Sequence, residues 1–456
     1  MSKTENKMGV LPIKQLIISM SLPMMASMLV QALYNVVDSI FVAQIDEAAL
    51  TAVTLAFPLQ NFMIALGSGT GVGMNALLSR SLGEKNFDRA DQAANTTLLL
   101  TFLNYALFLI IGIFGVEPFI RTQTNDPQII AYAVTYLRII CLVSIGVFCQ
   151  MTFERMLQST GRTIYSMVSQ MTGAVINIIM DPILIFGLFG FPRMGVAGAA
   201  LATVFGQVVA SIVGLTCNLK KNIDIRLSVP MILKPKADVV KEIYFVGVPS
   251  ILMMSIGSIM TYAMNLILIT FSTTATAVFG VYFKLQSFFF MPVFGLNNGL
   301  IPVLAYNYGA RRKDRIEEAL RFALTLALSI MLVGAVTFLA IPGTLLKLFN
   351  ASDDMMTIGI PALRTICLSF PIAGICIALG SVFQAFSESI YSLVVSVGRQ
   401  LVVLIPVAWL LSKTGNVNAV WWAFPIAEIA SFMLSVYFFR HVHKKKVAPL
   451  ADLKEN

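Results

Sequence analysis

The sequence predicts an all-α polytopic membrane protein of about 12 transmembrane helices in two pseudo-symmetric six-helix lobes. Three observations predict it. Of 456 residues, 57% are hydrophobic and only 12% charged, and the mean hydropathy is +0.82; a soluble chain carries roughly twice that charge fraction. Apolar runs of about 20 residues, long enough to cross a bilayer, recur from end to end. The third is an internal repeat, whose offset of 226 residues carries Pro23 onto Pro249.

The spans fall near residues 15–45, 48–79, 92–115, 128–150, 163–189, 195–219, 242–271, 275–306, 318–341, 355–380, 389–411 and 419–440. Membrane β-strands alternate apolar and polar residues, and these runs do not. The first run is too long and too polar for a cleaved signal peptide. Loop charge sets the orientation. With a cytoplasmic N-terminus, most of the 32 Lys and Arg fall inside: Lys3, Lys7, Lys14, Arg80, Lys85, Arg89, the cluster from Lys220 to Lys241, Arg311 to Arg315 and the basic "HKKK" tail. Arg121, Arg193, Lys347 and Lys413 fall outside. The expectation is a multi-pass protein of the cell inner (plasma) membrane with both termini cytoplasmic. The net charge of +9 is then a topology signal, with no nucleic-acid partner implied.

The repeat aligns almost without gaps. Gly69, Gly73 and Gly83 meet Gly295, Gly299 and Gly309; "DR" at 88–89 meets "DR" at 314–315; "LRIICL" at 137–142 meets "LRTICL" at 363–368; Gln60 meets Gln286. Six is an even number of spans, so both copies start on the same side and the repeat is parallel, a transporter architecture with its path between the halves. The units are 1–219 for the first lobe, 220–241 for a polar cytoplasmic linker, 242–445 for the second lobe and 446–456 for a cytoplasmic tail.

Intramembrane carboxylates are costly and mark function. Between Gln15 and Ile45 the only formal charge is Asp38, and Gln31, Tyr34, Asn35 and Asp38 recur at helical spacing as a polar stripe. Between Thr163 and Pro192 the only charge is Asp181, with Asn177 one turn before it. Pro182 cannot donate to the carbonyl of Ile178, which frees an acceptor nearby. Carboxylate, amide oxygen and free carbonyl suit a proton or Na⁺. At about 1.5 Å per residue, Asp38 lies roughly 35 Å above Gln15 and Asp181 roughly 27 Å above Thr163, with Thr203 at a similar level. A structural carboxylate bonded to Asn or Thr is the plainer alternative for each acid, and Thr203 is also ordinary interhelical glue.

The residues "SLPMM" at 21–25, "YNVVDSIFVAQ" at 34–44, "NIIMDPILIFG" at 177–187 and "GAALATVFGQ" at 198–207 resemble the motifs of the multidrug and toxic compound extrusion (MATE) family. The resemblance covers essentially the whole chain. It implies two lobes in a V around a central cleft, and efflux of organic, often cationic, compounds in exchange for H⁺ or Na⁺. It also assigns Asp38, Asn177, Asp181 and Thr203 to a cation-coupling site in the first lobe. Some family members carry acids on the seventh and tenth spans. Here those interiors have none, and the repeat partners of Asp38 and Asp181 are Met264 and Val407. Coupling is therefore expected in the first lobe only.

Further candidates for the cleft or for substrate are Gln31, Tyr34, Asn35, Glu154, Lys284 and Arg399. Glu154 sits close in sequence to Arg155 and Arg162, and an interfacial ion pair is its plainer reading. Ion pairing with Glu428 is the plainer reading of Lys284 and Arg399. The glycine-rich "GSGTGVG" at 67–73 lies in an apolar span without a following Lys-Ser/Thr, so it reads as a close helix crossing and not as a phosphate loop. Twenty-four Met and 32 Phe can offer a soft aromatic surface to hydrophobic cations, although packing explains most of them. The five cysteines lack metal or disulfide spacing, and His441 and His443 lie in the tail.

The expected function is an ion-coupled antiporter exporting hydrophobic cationic compounds, with small organic substrates and the lipid bilayer as partners. No cofactor beyond H⁺ or Na⁺ and no obligatory protein partner is expected. A lipid-linked oligosaccharide or lipid flippase of the same architecture is the alternative. An intramembrane prenyltransferase is disfavoured, because NxxxD at 177–181 supplies one carboxylate and not two.

Overall fold

The chain is described by a computed structural model covering residues 5–450. Lys3 and positions 451–456 of the expected tail lie outside the described residues. Eleven helices are long and apolar enough to cross a membrane, and a bent pair makes twelve. They are α1 (Ile13–Ala43), α2 (Glu47–Gly83), α3 (Phe87–Arg121), α4 (Pro127–Leu142 with Ile145–Ser159), α5 (Thr163–Phe186), α6 (Val196–Lys221), α7 (Ala237–Leu268), α8 (Thr273–Gly309), α9 (Lys313–Ala340), α10 (Asp353–Ala385), α11 (Ser389–Ser412) and α12 (Val417–Val447). The fourth span bends by 48°. At the break the Ser144 hydroxyl donates to the carbonyl of Cys141 at 2.8 Å, beside Gly146; Ser and Gly together commonly kink a helix.

The duplication reaches the turns. Asp46 caps α2 by accepting from Ala49 N, and its repeat partner Ser272 caps α8 by accepting from Ala275 N. Such caps are worth about 1 kcal/mol each. The left-handed turn residues Lys85 and Gly161 have partners at the same offset, Arg311 and Ser387, also at positive φ.

The lobes meet through α2 on α7, α1 on α8 and α2 on α8. The repeated glycines make these contacts. A Cβ at Gly69 would stand 2.8 Å from the carbonyl oxygen of Gly247, and one at Gly295 would stand 2.6 Å from the backbone of Met25. Gly83 faces Tyr306 and Ala310, while its partner Gly309 faces Arg80 and Glu84. These pairs are exchanged by the repeat, so the interface has local two-fold symmetry. From Gly67 to Gly83 every residue but Ser68 and Arg80 is buried, whereas Leu50, Phe57 and Phe62 nearer the start of α2 are exposed. The lobes are sealed at the end that carries the N-terminus, here the base, and part toward the other end. This is the expected V.

The repeated "DR" motifs hold the base. Arg89 donates to Asp238 (3.0 Å) and Glu242 (2.6 Å) at the start of α7. Arg315, only 9% exposed, donates to the carbonyls of Met8 (3.0 Å) and Leu11 (2.8 Å) just before α1, and to Asn307. Each lobe thus grips the segment leading into the other.

The linker is shorter and better packed than its composition suggests. Helix α6 runs to Lys221 and α7 starts at Ala237, leaving 222–236 between them. Arg226 and Ser228 bond through their backbones to Asp91 and Asn95 of α3, and Ile225 is buried among Ala94, Leu98 and Met156. Likewise α12 continues to Val447, past the expected lobe boundary.

Candidate functional site: a paired carboxyl in the first lobe

Helix α1 turns Tyr34 and Asp38 toward α5 and α6. Asp181 is completely buried, and its carboxyl lies within hydrogen-bonding reach of Asp38. Neither acid forms an ion pair among the described residues. One oxygen on each, Asp38 Oδ1 and Asp181 Oδ1, is buried without a hydrogen-bond partner. Two facing carboxylates have no proton to share unless one is supplied, and close like charges in a poorly solvated place do not both persist alone.

The surroundings complete a compact polar cluster. Of the two placements of the Asn177 amide, one satisfies both ends. Its nitrogen then donates to Asp181 Oδ2 at 3.1 Å, and its oxygen accepts from Thr203 N (3.0 Å) and Thr203 Oγ1 (3.1 Å). The Tyr34 hydroxyl lies close to Thr203. Tyr136 of α4 lies beside Tyr34 and Asp38 and close to Gln60 of α2. Gln207, one turn after Thr203, keeps a buried side-chain oxygen without a partner. Two carboxyls, an amide and hydroxyls can hold a small cation or a shared proton.

All four expected coupling residues therefore converge: Asp38, Asn177, Asp181 and Thr203. The polar stripe of α1 divides. Tyr34 joins the cluster, and Gln31 accepts from Gln170 of α5 at 3.1 Å. Asn35 is exposed and its side chain bonds to nothing among the described residues, because its position on the turn points it away from α5 and α6. Tyr136, Gln60 and Gln207 were not anticipated. Gln60 carries a usable signal, being a polar residue in an apolar span that recurs as Gln286, which accepts from Tyr282 at 2.9 Å.

Glu154 does not form the expected ion pair. It is buried within the lobe, bonded by Gln150 (2.9 Å) and by Ser169 of α5 (3.2 Å), away from the cleft. Arg155 points along the opposite side, to Gln158 and across the lobe boundary to Asn298 of α8 (3.1 Å each), while Arg162 pairs with Asp224 in the linker. Adjacent residues on a helix diverge by about 100°, which is why sequence neighbours here are not partners.

In the second lobe Arg399 pairs with buried Glu428 at 3.4 Å, as expected. Arg399 sits in a π-helical stretch, Gly398–Leu404. Lys284 is not part of that pair and forms no ion pair among the described residues. It lies three turns from Gly295 on the same face of α8, the face turned to the other lobe, at a level where it is exposed. That makes it a candidate cleft residue. Met264, the repeat partner of Asp38, is buried in the apolar core, against which Val407 packs.

The sequence profile of the MatE family matches residues 23–183 and 249–410, one match per lobe. The multidrug export protein MepA of Staphylococcus haemolyticus is 25% identical over 95% of each chain. The FAD transporter of Shewanella oneidensis is 27% identical over 97% of each chain. A solved outward-facing conformation of a multidrug resistance MATE family transporter superposes with a TM-score of 0.91 at 25% identity, covering 99% of both chains. A duplicated six-helix lobe, a V closed at its base, and a profile match in both halves place this chain in the MatE family of membrane transporters.

Proposed function

We propose that this chain is an ion-coupled antiporter that exports hydrophobic, cationic organic compounds by alternating access, with Asp38 and Asp181 as the coupling pair. One observation carries the reading: two carboxyls within hydrogen-bonding reach, each with an orphaned buried oxygen and neither with a basic partner. A proton or Na⁺ entering from the open end neutralises the pair. Its loss on the other side restores repulsion between α1 and α5. The coupling works only if ion affinity differs between the two states. The similarity to MepA proteins supports drug export, and the basic residues gathered at the base support a plasma-membrane orientation with that end in the cytoplasm.

The experiment is transport in proteoliposomes under separately imposed pH and Na⁺ gradients. Ethidium counterflow driven by one gradient, and lost with Asp38→Asn, is the expected result. Export that proceeds equally without either gradient refutes coupling.

A second reading has one specific support. Lys284, unpaired on the cleft face of α8, would attract an anion, and a relative of similar length is named as an FAD transporter. Uptake assays with flavin nucleotides under the same gradients separate the two.

A further inference from the structure

We infer that the base of the second lobe carries an anionic phospholipid site, in a groove between α9 and α12 floored by the end of α10. The groove has a volume of about 370 Å³. Its walls are Leu320, Leu324, Val382, Phe386 and Phe439, and its mouth carries Arg321 and Arg440. Glu317, Leu320, Arg321 and Leu324 follow helical spacing, so α9 presents one continuous face to it.

Its repeat counterpart shows what such a groove does when filled. In the first lobe, Ala94, Leu98 and Met156 stand at the positions of Leu320, Leu324 and Val382. There the linker closes the groove, with Ile225 in the same buried apolar cluster as those three residues. Asn95, at the position of Arg321, donates to the Arg226 carbonyl at 2.7 Å and accepts from Ser228 N at 2.8 Å. The loop before α12 is five residues shorter than the one before α6, so Leu219 stands at the position of Arg440 and is exposed. The occupant is a peptide, and the lining is an amide that satisfies peptide groups and an apolar side chain.

In the second lobe the same two positions are both arginine. Neither guanidinium has an ion pair or side-chain hydrogen bond among the described residues. Glu317, the one acid at the mouth, is engaged by His443 at 3.1 Å. The change from Asn and Leu to Arg and Arg matches a change of occupant from peptide to anion.

The depth identifies the anion as a lipid. Arg321 lies eight residues into α9 and Arg440 seven residues before the end of α12, so both stand roughly 10–12 Å from the helix ends. That is the headgroup level for a helix that spans the bilayer and projects beyond it. An apolar groove below two unpaired guanidiniums accepts an acyl chain below a phosphate, the arrangement by which basic interhelical pockets hold anionic headgroups.

The test is the melting temperature of the full chain in detergent, titrated with phosphatidylglycerol, phosphatidylcholine or inorganic phosphate. Phosphatidylglycerol should stabilise selectively. Arg321→Gln and Arg440→Gln should each weaken its apparent affinity about fivefold, and the double variant on the order of twentyfold. Arg321→Lys with Arg440→Lys should restore most of it. Equal stabilisation by both lipids, or persistence of selectivity in the double Gln variant, overturns the inference. So does an effect reproduced by inorganic phosphate alone. A selective shift that appears only after residues 451–456 are removed would assign the groove to the chain's own terminus instead.

Discussion

Gly295→Ala should move the protein out of its base-closed state. The added Cβ would stand 2.6 Å from the N and Cα of Met25 in α1. An ordinary contact needs about 3.4 Å, so the helices must part by roughly 0.8 Å, and backbone cannot rotate aside as a side chain can. Overpacking of this kind costs about 1–3 kcal/mol. The cost falls on the state in which α1 and α8 are pressed together. It therefore shifts the ratio of base-closed to base-open forms by about 5- to 150-fold. The assay is the distance distribution between spin labels at Phe189 and Lys413, exposed near the open end of each lobe, with the five native cysteines replaced. A shorter distance should gain population as that end closes. Gly257→Ala is the control, because nothing lies within 4 Å of its added Cβ. An unchanged distribution in the Gly295 variant, or an equal change in the Gly257 variant, would refute the idea that this crossing holds the lobes.

Asp181→Asn should leave the protein folded but reduce efflux severely, measured as drug resistance at matched expression; near-normal resistance removes Asp181 from the mechanism. Asp38→Asn combined with Asp181→Asn should be scarcely worse than either single change in exchange rate, because a coupled pair acts as a unit; multiplicative losses would mean independent roles. Arg315→Ala should lower stability by about 3 kcal/mol or more, since two carbonyls and the Asn307 oxygen lose a charged donor, whereas Arg89→Ala should cost about 1 kcal/mol or less and lose even that in high salt; melting curves across a salt series would distinguish them. Lys284→Ala should change which substrates are exported while leaving the gradient dependence intact, read by dye and flavin export under imposed gradients.

Much of this was legible in sequence because a membrane forces its constraints into composition. The spans, the duplication and the acids Asp38 and Asp181 stand out against apolar background, where every charge costs several kcal/mol. The glycine pairs were visible as repeats, but an offset reveals equivalence and not contact. That Gly69 touches α7 while Gly295 touches α1 needs the two-fold arrangement. Glu154 misled because proximity along the chain is not proximity across a helix. Lys284 lies on the face that the lobe boundary later leaves open. The 222–236 linker reads as solvated from its Lys and Pro content, yet Ile225 is buried in a groove and Arg226 and Ser228 bond to α3. Its alternating short apolar residues carry too little periodicity to announce that.

The two arginine grips at the base are equivalent by descent and unequal in strength. Arg89 holds carboxylates that water and salt can reach, and such contacts are cheap to exchange. Arg315 holds backbone carbonyls in a buried seat, and leaving them costs the full desolvation of its partners. A machine with two identical latches would spread evenly. With one loose and one tight, the base yields first along the start of α7 and swings about the segment before α1. The unequal grips predict a preferred direction of opening, with the residues just before α1 as its pivot.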